Sequence, residues 1–126
     1  MEESFKRLNE LCRKLRRECP WDSRQTIESY FRYVLDEAEE FNEAAEKGDH
    51  EGMKEELGDV MWNLLMISRM AEEKGMFSIR DAMESAHEKM VRRHPHVFNG
   101  ESDNVEDIER RWKEIKREEK NRKTFK

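Results

Sequence analysis

The sequence has few apolar residues, only two cysteines and no long hydrophobic run, and each shortage excludes a class of protein. Hydrophobic residues make up 35% of the 126 residues, which is too few for a large self-sufficient core. No stretch approaches the roughly 20 apolar residues that span a bilayer, and the first residues lack the apolar segment of a signal peptide. We therefore expect a cytoplasmic protein that does not enter membranes. Cys12 and Cys19 match neither a CxxC motif nor a zinc knuckle, which predicts free thiols.

Charged residues are abundant, at 44% of the chain, but the two signs nearly balance and leave a net charge of −5. Balanced charge, together with eight methionines and three tryptophans, argues against disorder. A mildly acidic chain is a poor match for a nucleic acid polymer. The charged surplus is typical of helices with narrow apolar stripes, which often complete their burial against a second copy. We expect a homodimer or a higher homo-oligomer.

Apolar residues recur at helical spacing along nearly the whole chain, and no alternating run predicts a strand. The pattern predicts an all-α antiparallel bundle, with a four-helix type core and an additional C-terminal helix. We expect one domain over residues 1–119. Residues 120–126 carry charge but no apolar stripe, which predicts a frayed tail.

Turn and capping residues predict where the helices begin and end. The first helix is expected from Glu3 to Glu18, followed by a loop over residues 19–23 and a second helix that starts near Ser23 or Arg24. Gly48 supplies a left-handed stop for the second helix, and Asp49 caps the third. Because the turn is short, the second and third helices are expected to be antiparallel neighbours.

Two acidic pairs lie on these neighbouring helices, Glu37 with Glu40 and Glu56 with Asp59. Residues three apart share a helix face, so antiparallel packing brings the pairs together. Carboxylates about 4 Å apart repel by roughly 4 kcal/mol per pair at an effective dielectric constant of 20, and they respond by taking up protons or binding cations. Oxygen ligands favour Mg²⁺, or Mn²⁺, and Mg²⁺ commonly completes its shell with phosphate oxygens. The pattern therefore predicts a phosphate substrate.

A purely solvated acidic surface is the alternative, because exposed acids are ordinary on helices. Gly58 weakens that alternative, since a glycine inside a helix costs about 1 kcal/mol relative to alanine. Its presence between Glu56 and Asp59 indicates close approach of either another helix or a ligand.

Basic and aromatic residues in the last third of the chain suggest a second set of contacts. Lys89 and Arg93 are four residues apart and can grip a polyphosphate, although bases at a helix end also complement the helix dipole. Trp112 is either a core residue or a platform for a nucleobase. His94 and His96 are either metal ligands or structural residues, and the second reading is the commoner one for loop histidines.

Five motifs along the chain have a familiar combination and order. The chain resembles the MazG family of nucleoside triphosphate pyrophosphohydrolases from about Leu8 to Glu119. The motifs that carry the resemblance are CPWD at 19–22, DEAEE at 36–40, ELGD at 56–59, RRHPHVF at 92–98 and WKEIK at 112–116.

The resemblance implies a dimerising all-α hydrolase that converts nucleoside triphosphates, ribo or deoxy, to monophosphate and pyrophosphate with Mg²⁺. It assigns four acids as metal ligands and as the catalytic set: Glu37, Glu40, Glu56 and Asp59. It assigns three residues to the nucleotide: Lys89 and Arg93 on the triphosphate, and Trp112 near the nucleoside.

The chain also departs from the family pattern. Asp36 stands where the family has a glutamate, and either Asp36 or Glu55 is expected to orient the attacking water. The CPWD and RRHPHVF motifs look like the N-terminal half of two-domain relatives whose C-terminal half is credited with activity. A narrow preference for dUTP or dCTP therefore stays open.

Two other functions also stay open. Amphipathic helices with little apolar content suit a non-enzymatic interaction or dimerisation module. A ferritin-like redox bundle needs two ExxH pairs, and the sequence has one, at Glu84 and His87.

Overall fold

The computed structural model of the protein describes residues 1–124, and every element in this part of the chain is a helix. The prediction of an all-α chain is confirmed. None of these helices combines the length and the hydropathy that a bilayer crossing requires. The helices are α1 (Glu2–Glu18), α2 (Pro20–Arg24), α3 (Ile27–Glu46), α4 (His50–Glu73), α5 (Ile79–Arg92), α6 (Pro95–Phe98) and α7 (Val105–Thr124).

The chain divides into two compact units, the first over residues 1–79 and the second from residue 80 onwards. The division falls inside the single domain predicted over residues 1–119. The predicted frayed tail overlaps α7, which stays helical to Thr124. Residues 125 and 126 lie outside the described residues.

The first unit is built on the α3–α4 hairpin, against which α1 packs. The turn between the two long helices has Gly48 at φ 68°, a left-handed conformation that glycine adopts without strain. The Asp49 side chain then accepts a hydrogen bond from the Gly52 amide at 3.0 Å, which satisfies a free donor at the start of α4. Both turn residues act as the sequence predicts, and they hold α3 and α4 antiparallel.

The chain between α1 and α3 differs from the prediction of a loop over residues 19–23. It forms the short helix α2, which has Pro20 at its first position. The proline ring fixes φ at a helical value, and the N–H that proline lacks would have no partner within the helix at this position. The predicted start of the next helix at Ser23 or Arg24 is also wrong. That helix begins at Ile27, after a reciprocal capping box between Thr26 and Ser29.

The core of the first unit comes from α1, α3 and α4. Met66 and Cys12 are fully buried, and Met70 is nearly so. Burial raises the pKa of the Cys12 thiol to about 12, which keeps it protonated and unreactive. Both cysteines are free, as predicted. The core cluster consists of Cys12, Tyr30, Leu65, Met66 and Met70.

The second unit is held together by a carboxylate between two arginines. Glu119 on α7 accepts from Arg93 at 2.8 Å and from Arg92 at 2.6 Å. The Arg93 guanidinium also lies 5.2 Å from the centre of the Trp112 ring, within cation–π range. The hydrogen bond from Arg93 and the charge of Arg92 lower the pKa of Glu119 to about 2. These contacts tie α7, at Glu119, to the end of α5.

Truncation of the fully buried Met66 to alanine should lower the free energy of unfolding by about 2–5 kcal/mol, because it leaves a cavity in the core. Urea denaturation followed by far-UV circular dichroism measures the loss. Met76→Ala is the matched control, since Met76 is 58% exposed and its truncation should cost about 0.5 kcal/mol or less. Equal losses in the two variants would contradict the assigned core.

Replacement of Glu119 by glutamine should destabilise the protein by about 1–2 kcal/mol at pH 7, because it removes the charge that Arg92 and Arg93 bind. The folded pKa lies below the ordinary value of 4.5, so this stabilisation is complete above pH 4.5 and disappears as the pH falls towards 2. Urea denaturation at pH 7 and pH 3 should therefore show a smaller difference between wild type and Glu119→Gln at pH 3. The neighbouring Glu118→Gln should show little loss at either pH, because its ion pair is exposed. A difference that does not change with pH would remove the role of this charge.

Candidate active site

Helices α3 and α4 place the predicted acidic pairs at positions that face each other across the hairpin. Glu37, Glu56 and Asp59 each offer a carboxylate oxygen, and these three oxygens all lie within 4.8 Å of one another. We call these three residues the acid cluster. Glu40 is exposed and lies outside the group of three, but it contributes to the raised pKa of Glu37.

The acid cluster resists full ionisation. The hydrogen bond with Glu56, burial, and the hydrogen bond with Glu40 raise the pKa of Glu37 to about 8. A hydrogen bond between two carboxyl groups requires a proton on one of them. Around neutral pH the cluster therefore holds a proton unless another positive charge takes its place.

Two oxygens of the acid cluster also lack donors. Glu37 Oε2 and Glu56 Oε2 are buried and have no hydrogen-bond partner among residues 1–124. A buried acceptor without a donor is costly and is uncommon in folded proteins. Three converging carboxylates with free lone pairs are a donor set that fits a hard divalent cation.

An aromatic pocket of about 280 Å³ adjoins the acid cluster in the first unit. The rings of Tyr30 and Tyr33 are 5.5 Å apart, and Trp21 lies 6.3 and 6.2 Å from them. Trp62 donates from its indole nitrogen to the Tyr30 hydroxyl at 3.2 Å. The lining of this aromatic pocket is Trp21, Tyr30, Tyr33, Trp62, Asn63 and the acids Glu37 and Asp59.

The pocket presents flat ring surfaces to solvent. Trp21 is 52% exposed and Tyr33 is 40% exposed, while Tyr30 beneath them is buried. Exposed aromatic faces next to a phosphate or metal site suit a planar ligand, because stacking on such faces is worth about 1–3 kcal/mol per base. The arrangement can hold an aromatic ring at one end and, when a cation occupies the acid cluster, an anionic group at the other.

The predicted phosphate and nucleoside contacts, Lys89, Arg93 and Trp112, lie in the second unit. Lys89 precedes Arg93 by one helical turn, and the Arg93 amide donates to the Lys89 carbonyl. Trp112 is half-buried and contacts Arg93 on one side and the His94 ring on the other. Neither His94 nor His96 belongs to a group of three possible metal ligands in the described chain.

Gly58 does not pack against another helix. A Cβ atom at this position would meet no described atom within 4 Å. The interpretation that a neighbouring helix requires this glycine is therefore wrong, and approach of a ligand stays a prediction.

Sequence reasoning missed the aromatic pocket. Trp21 enters the sequence analysis only through the CPWD motif, and Tyr30 lies at a spacing that is equally typical of a core residue. The spacing held a signal, because Tyr30, Tyr33 and Glu37 are three and four residues apart and share one face of α3. On α4, Asp59 and Asn63 are likewise four apart.

Comparison with known proteins places this geometry in a family. The family model of the MazG nucleotide pyrophosphohydrolase domain matches residues 25–98. This range includes the acid cluster, Glu40, Lys89 and Arg93, but not Trp112.

Curated relatives cover most of the chain. It is 40% identical over 121 residues to the nucleoside triphosphate pyrophosphohydrolase/pyrophosphatase MazG of Thermotoga maritima, an alignment that covers 94% of this chain and 46% of that protein. It is 36% identical over 106 residues to the nucleoside triphosphate pyrophosphohydrolase of Escherichia coli K12, with 83% of this chain and 40% of the relative covered. The chain thus spans less than half the length of these curated relatives.

A solved structure agrees with the sequence comparisons. The crystal structure of a mazG-related protein from Thermotoga maritima superposes with a TM-score of 0.79 at 32% identity, and the match covers 89% of this chain and 98% of that one. With the family model spanning residues 25–98 and this fold in common, the chain belongs to the MazG nucleotide pyrophosphohydrolase domain family.

Proposed function

We propose that this protein hydrolyses nucleoside triphosphates, ribo or deoxy, to nucleoside monophosphate and pyrophosphate with Mg²⁺, or Mn²⁺, as cofactor. The observation that carries the proposal is the acid cluster with its two donorless buried oxygens, placed beside an aromatic pocket. Relatives named for this reaction support it. A nucleotide-pool enzyme of this kind would act in the cytoplasm.

Glu37, Glu56 and Asp59, with Glu40 beside them, would hold the cation. When bound, a divalent cation supplies a water of lowered pKa and neutralises charge on the leaving pyrophosphate. Loss of the proton from Glu37 prepares the cluster, because an ionised carboxylate is the form that binds cations. Asp36 and Glu55 remain the two candidates to accept the proton of the attacking water.

The remaining residues would bind and orient the nucleotide. The exposed faces of Trp21 and Tyr33 stack the nucleobase. Lys89 and Arg93 would bind phosphate oxygens, Arg93 through the guanidinium nitrogen that does not donate to Glu119. Trp112 would lie near the nucleoside, as the family resemblance implies. Rigid placement of this kind lowers the entropic part of the barrier.

The reaction is tested by incubating the protein with all common ribonucleoside and deoxyribonucleoside triphosphates, dUTP included, in the presence of Mg²⁺. Monophosphate and pyrophosphate should form in equal amounts, and both should be absent when EDTA removes the metal. Release of orthophosphate with a nucleoside diphosphate would contradict cleavage between the α and β phosphates. No product across the panel would favour a non-enzymatic interaction module.

Conversion of Glu56 to glutamine or of Asp59 to asparagine should reduce turnover at least 100-fold. Each change should also abolish the rise in melting temperature that Mg²⁺ gives the wild type. Glu39→Gln is the matched control, since Glu39 is an exposed acid of α3 outside the cluster, and it should retain both properties. Wild-type turnover in either cluster variant would remove the ligand assignment.

We further propose that the protein is a homodimer or higher homo-oligomer that associates through α3 and α4. Each of these helices exposes large apolar side chains in addition to its buried ones. Single exposed apolar residues are ordinary, but rows of them at helical spacing usually mark an interface. The residues concerned, all 44–57% exposed, are Phe31 and Leu35 on α3 and Leu57, Met61 and Leu64 on α4.

Light scattering should report a dimer or a larger species at micromolar concentration. The variants Leu35→Lys and Met61→Lys should contain more monomer than the wild type, because each introduces a charge into an apolar contact. Met83→Lys on α5, at a residue that is 52% exposed, serves as the control and should not change the mass. A monomeric wild type would contradict the proposal.

A further inference from the structure

One polar side chain in the aromatic pocket has no structural partner. Asn63 on α4 is only 6% exposed, and its side chain lines the pocket. Within residues 1–124 its amide group makes no hydrogen bond. The amide atoms are not among the solvent-inaccessible atoms that lack a partner, so they face the solvent of the pocket. An unpaired amide that faces a cavity is therefore a group prepared for a ligand.

The position of Asn63 on α4 relates it to the acid cluster. It follows Asp59 by four residues, so the two side chains lie on the same face of the helix, about 6 Å apart along the axis. Both line the same pocket. Asn63 is one helical turn from Asp59. A nucleotide whose phosphates lie near Asp59 would therefore reach Asn63 with its base, and its sugar would lie between the two residues.

The surrounding rings define what this ligand group is. Tyr30, Tyr33 and Trp21 form tilted and edge-on pairs around the pocket. The hydrogen bond from Trp62 to the Tyr30 hydroxyl uses that hydroxyl as an acceptor and fixes both rings. A flat aromatic ligand fits among them, and Asn63 contributes the one carboxamide of the lining, which offers a donor and an acceptor side by side.

We propose that Asn63 recognises the edge of the nucleobase and so determines which nucleotides are accepted. This proposal rests on the proposed function, which makes a nucleotide the substrate. The amide carbonyl accepts from an exocyclic amino group of the base while the amide NH₂ donates to the neighbouring ring nitrogen, a pairing that asparagine makes with adenine in other proteins. A binding site that uses a polar group to recognise its substrate rejects analogues that leave this group without a hydrogen bond.

The test compares nucleosides that differ by one amino group. Cytidine is paired with zebularine, its analogue without the 4-amino group, and adenosine is paired with purine riboside, which lacks the 6-amino group. Binding is measured in EDTA by quenching of tryptophan fluorescence, because Trp21 and Trp62 line the pocket. Neither phosphate nor metal takes part in this measurement, so its result is independent of whether the protein cleaves triphosphates.

For at least one pair, the wild type should bind the amino-bearing nucleoside about ten- to a hundredfold more tightly than its analogue. Asn63→Leu, which keeps the volume and removes the polar atoms, should bind both members equally. Asn42→Leu is the matched control, an exposed asparagine of α3, and should retain the wild-type ratio. Asn63→Ala replaces Asn63→Leu if circular dichroism shows that the leucine variant does not fold.

Three outcomes would overturn the proposal: equal binding within both pairs by the wild type, an unchanged ratio in the Asn63 variants, or no quenching by any of the four nucleosides. Turnover of the four corresponding triphosphates gives a second readout. If the protein cleaves triphosphates but Asn63→Leu keeps the wild-type ratio of kcat/KM within each pair, the recognition role fails and the proposed function stands. If the nucleosides are discriminated through Asn63 but no triphosphate is cleaved, the proposed function fails and the recognition role stands.

Discussion

Electrostatic repulsion among carboxylates is the constraint on which the rest of the first unit depends. Glu37, Glu56 and Asp59 bring oxygens within 4.8 Å of one another, an arrangement that the isolated acids would avoid. It persists because the α3–α4 hairpin is fixed independently, by the Gly48 turn, the Asp49 cap and the packed methionines of α4. The acid cluster destabilises the folded state, and the rest of the hairpin compensates for this cost. Such a cost is common where a site is organised to bind a ligand rather than to stabilise the fold.

The two units treat a half-buried carboxylate in opposite ways. In the second unit, Glu119 receives hydrogen bonds from Arg92 and Arg93, and its pKa falls to about 2. In the first unit, no arginine or lysine among residues 1–124 forms an ion pair with Glu37, and the pKa of Glu37 rises to about 8. The first arrangement neutralises the charge within the protein, while the second leaves the neutralisation to something that arrives from solution. This contrast separates a structural acid from a candidate ligand set more clearly than the number of acids in either helix does.

Periodicity and spacing predicted much of this structure. The apolar repeats predicted the long helices, Gly48 and Asp49 predicted the hairpin, and the two pairs of acids three residues apart predicted a convergence that the structure has for Glu37, Glu56 and Asp59. These features are local, or follow from one short turn. The aromatic pocket was not predictable in the same way, because it joins Trp21 on α2 to Tyr33 and Trp62 on two other helices. An aromatic residue at helical spacing looks the same in sequence whether its ring faces the core or a cavity. The contacts of Glu119 could not be predicted for a similar reason, since its partners lie 26 and 27 residues away in the sequence.

Tyr30 belongs at once to the hydrophobic core and to the wall of the aromatic pocket. Its ring packs with Met66 and Met70 below, and its hydroxyl holds the indole of Trp62. A substitution among the core residues that pack with Tyr30 would therefore displace a wall of the aromatic pocket, even when every other residue of the lining is unchanged. The shape of this cavity is set partly from the protein interior, and not by its lining alone.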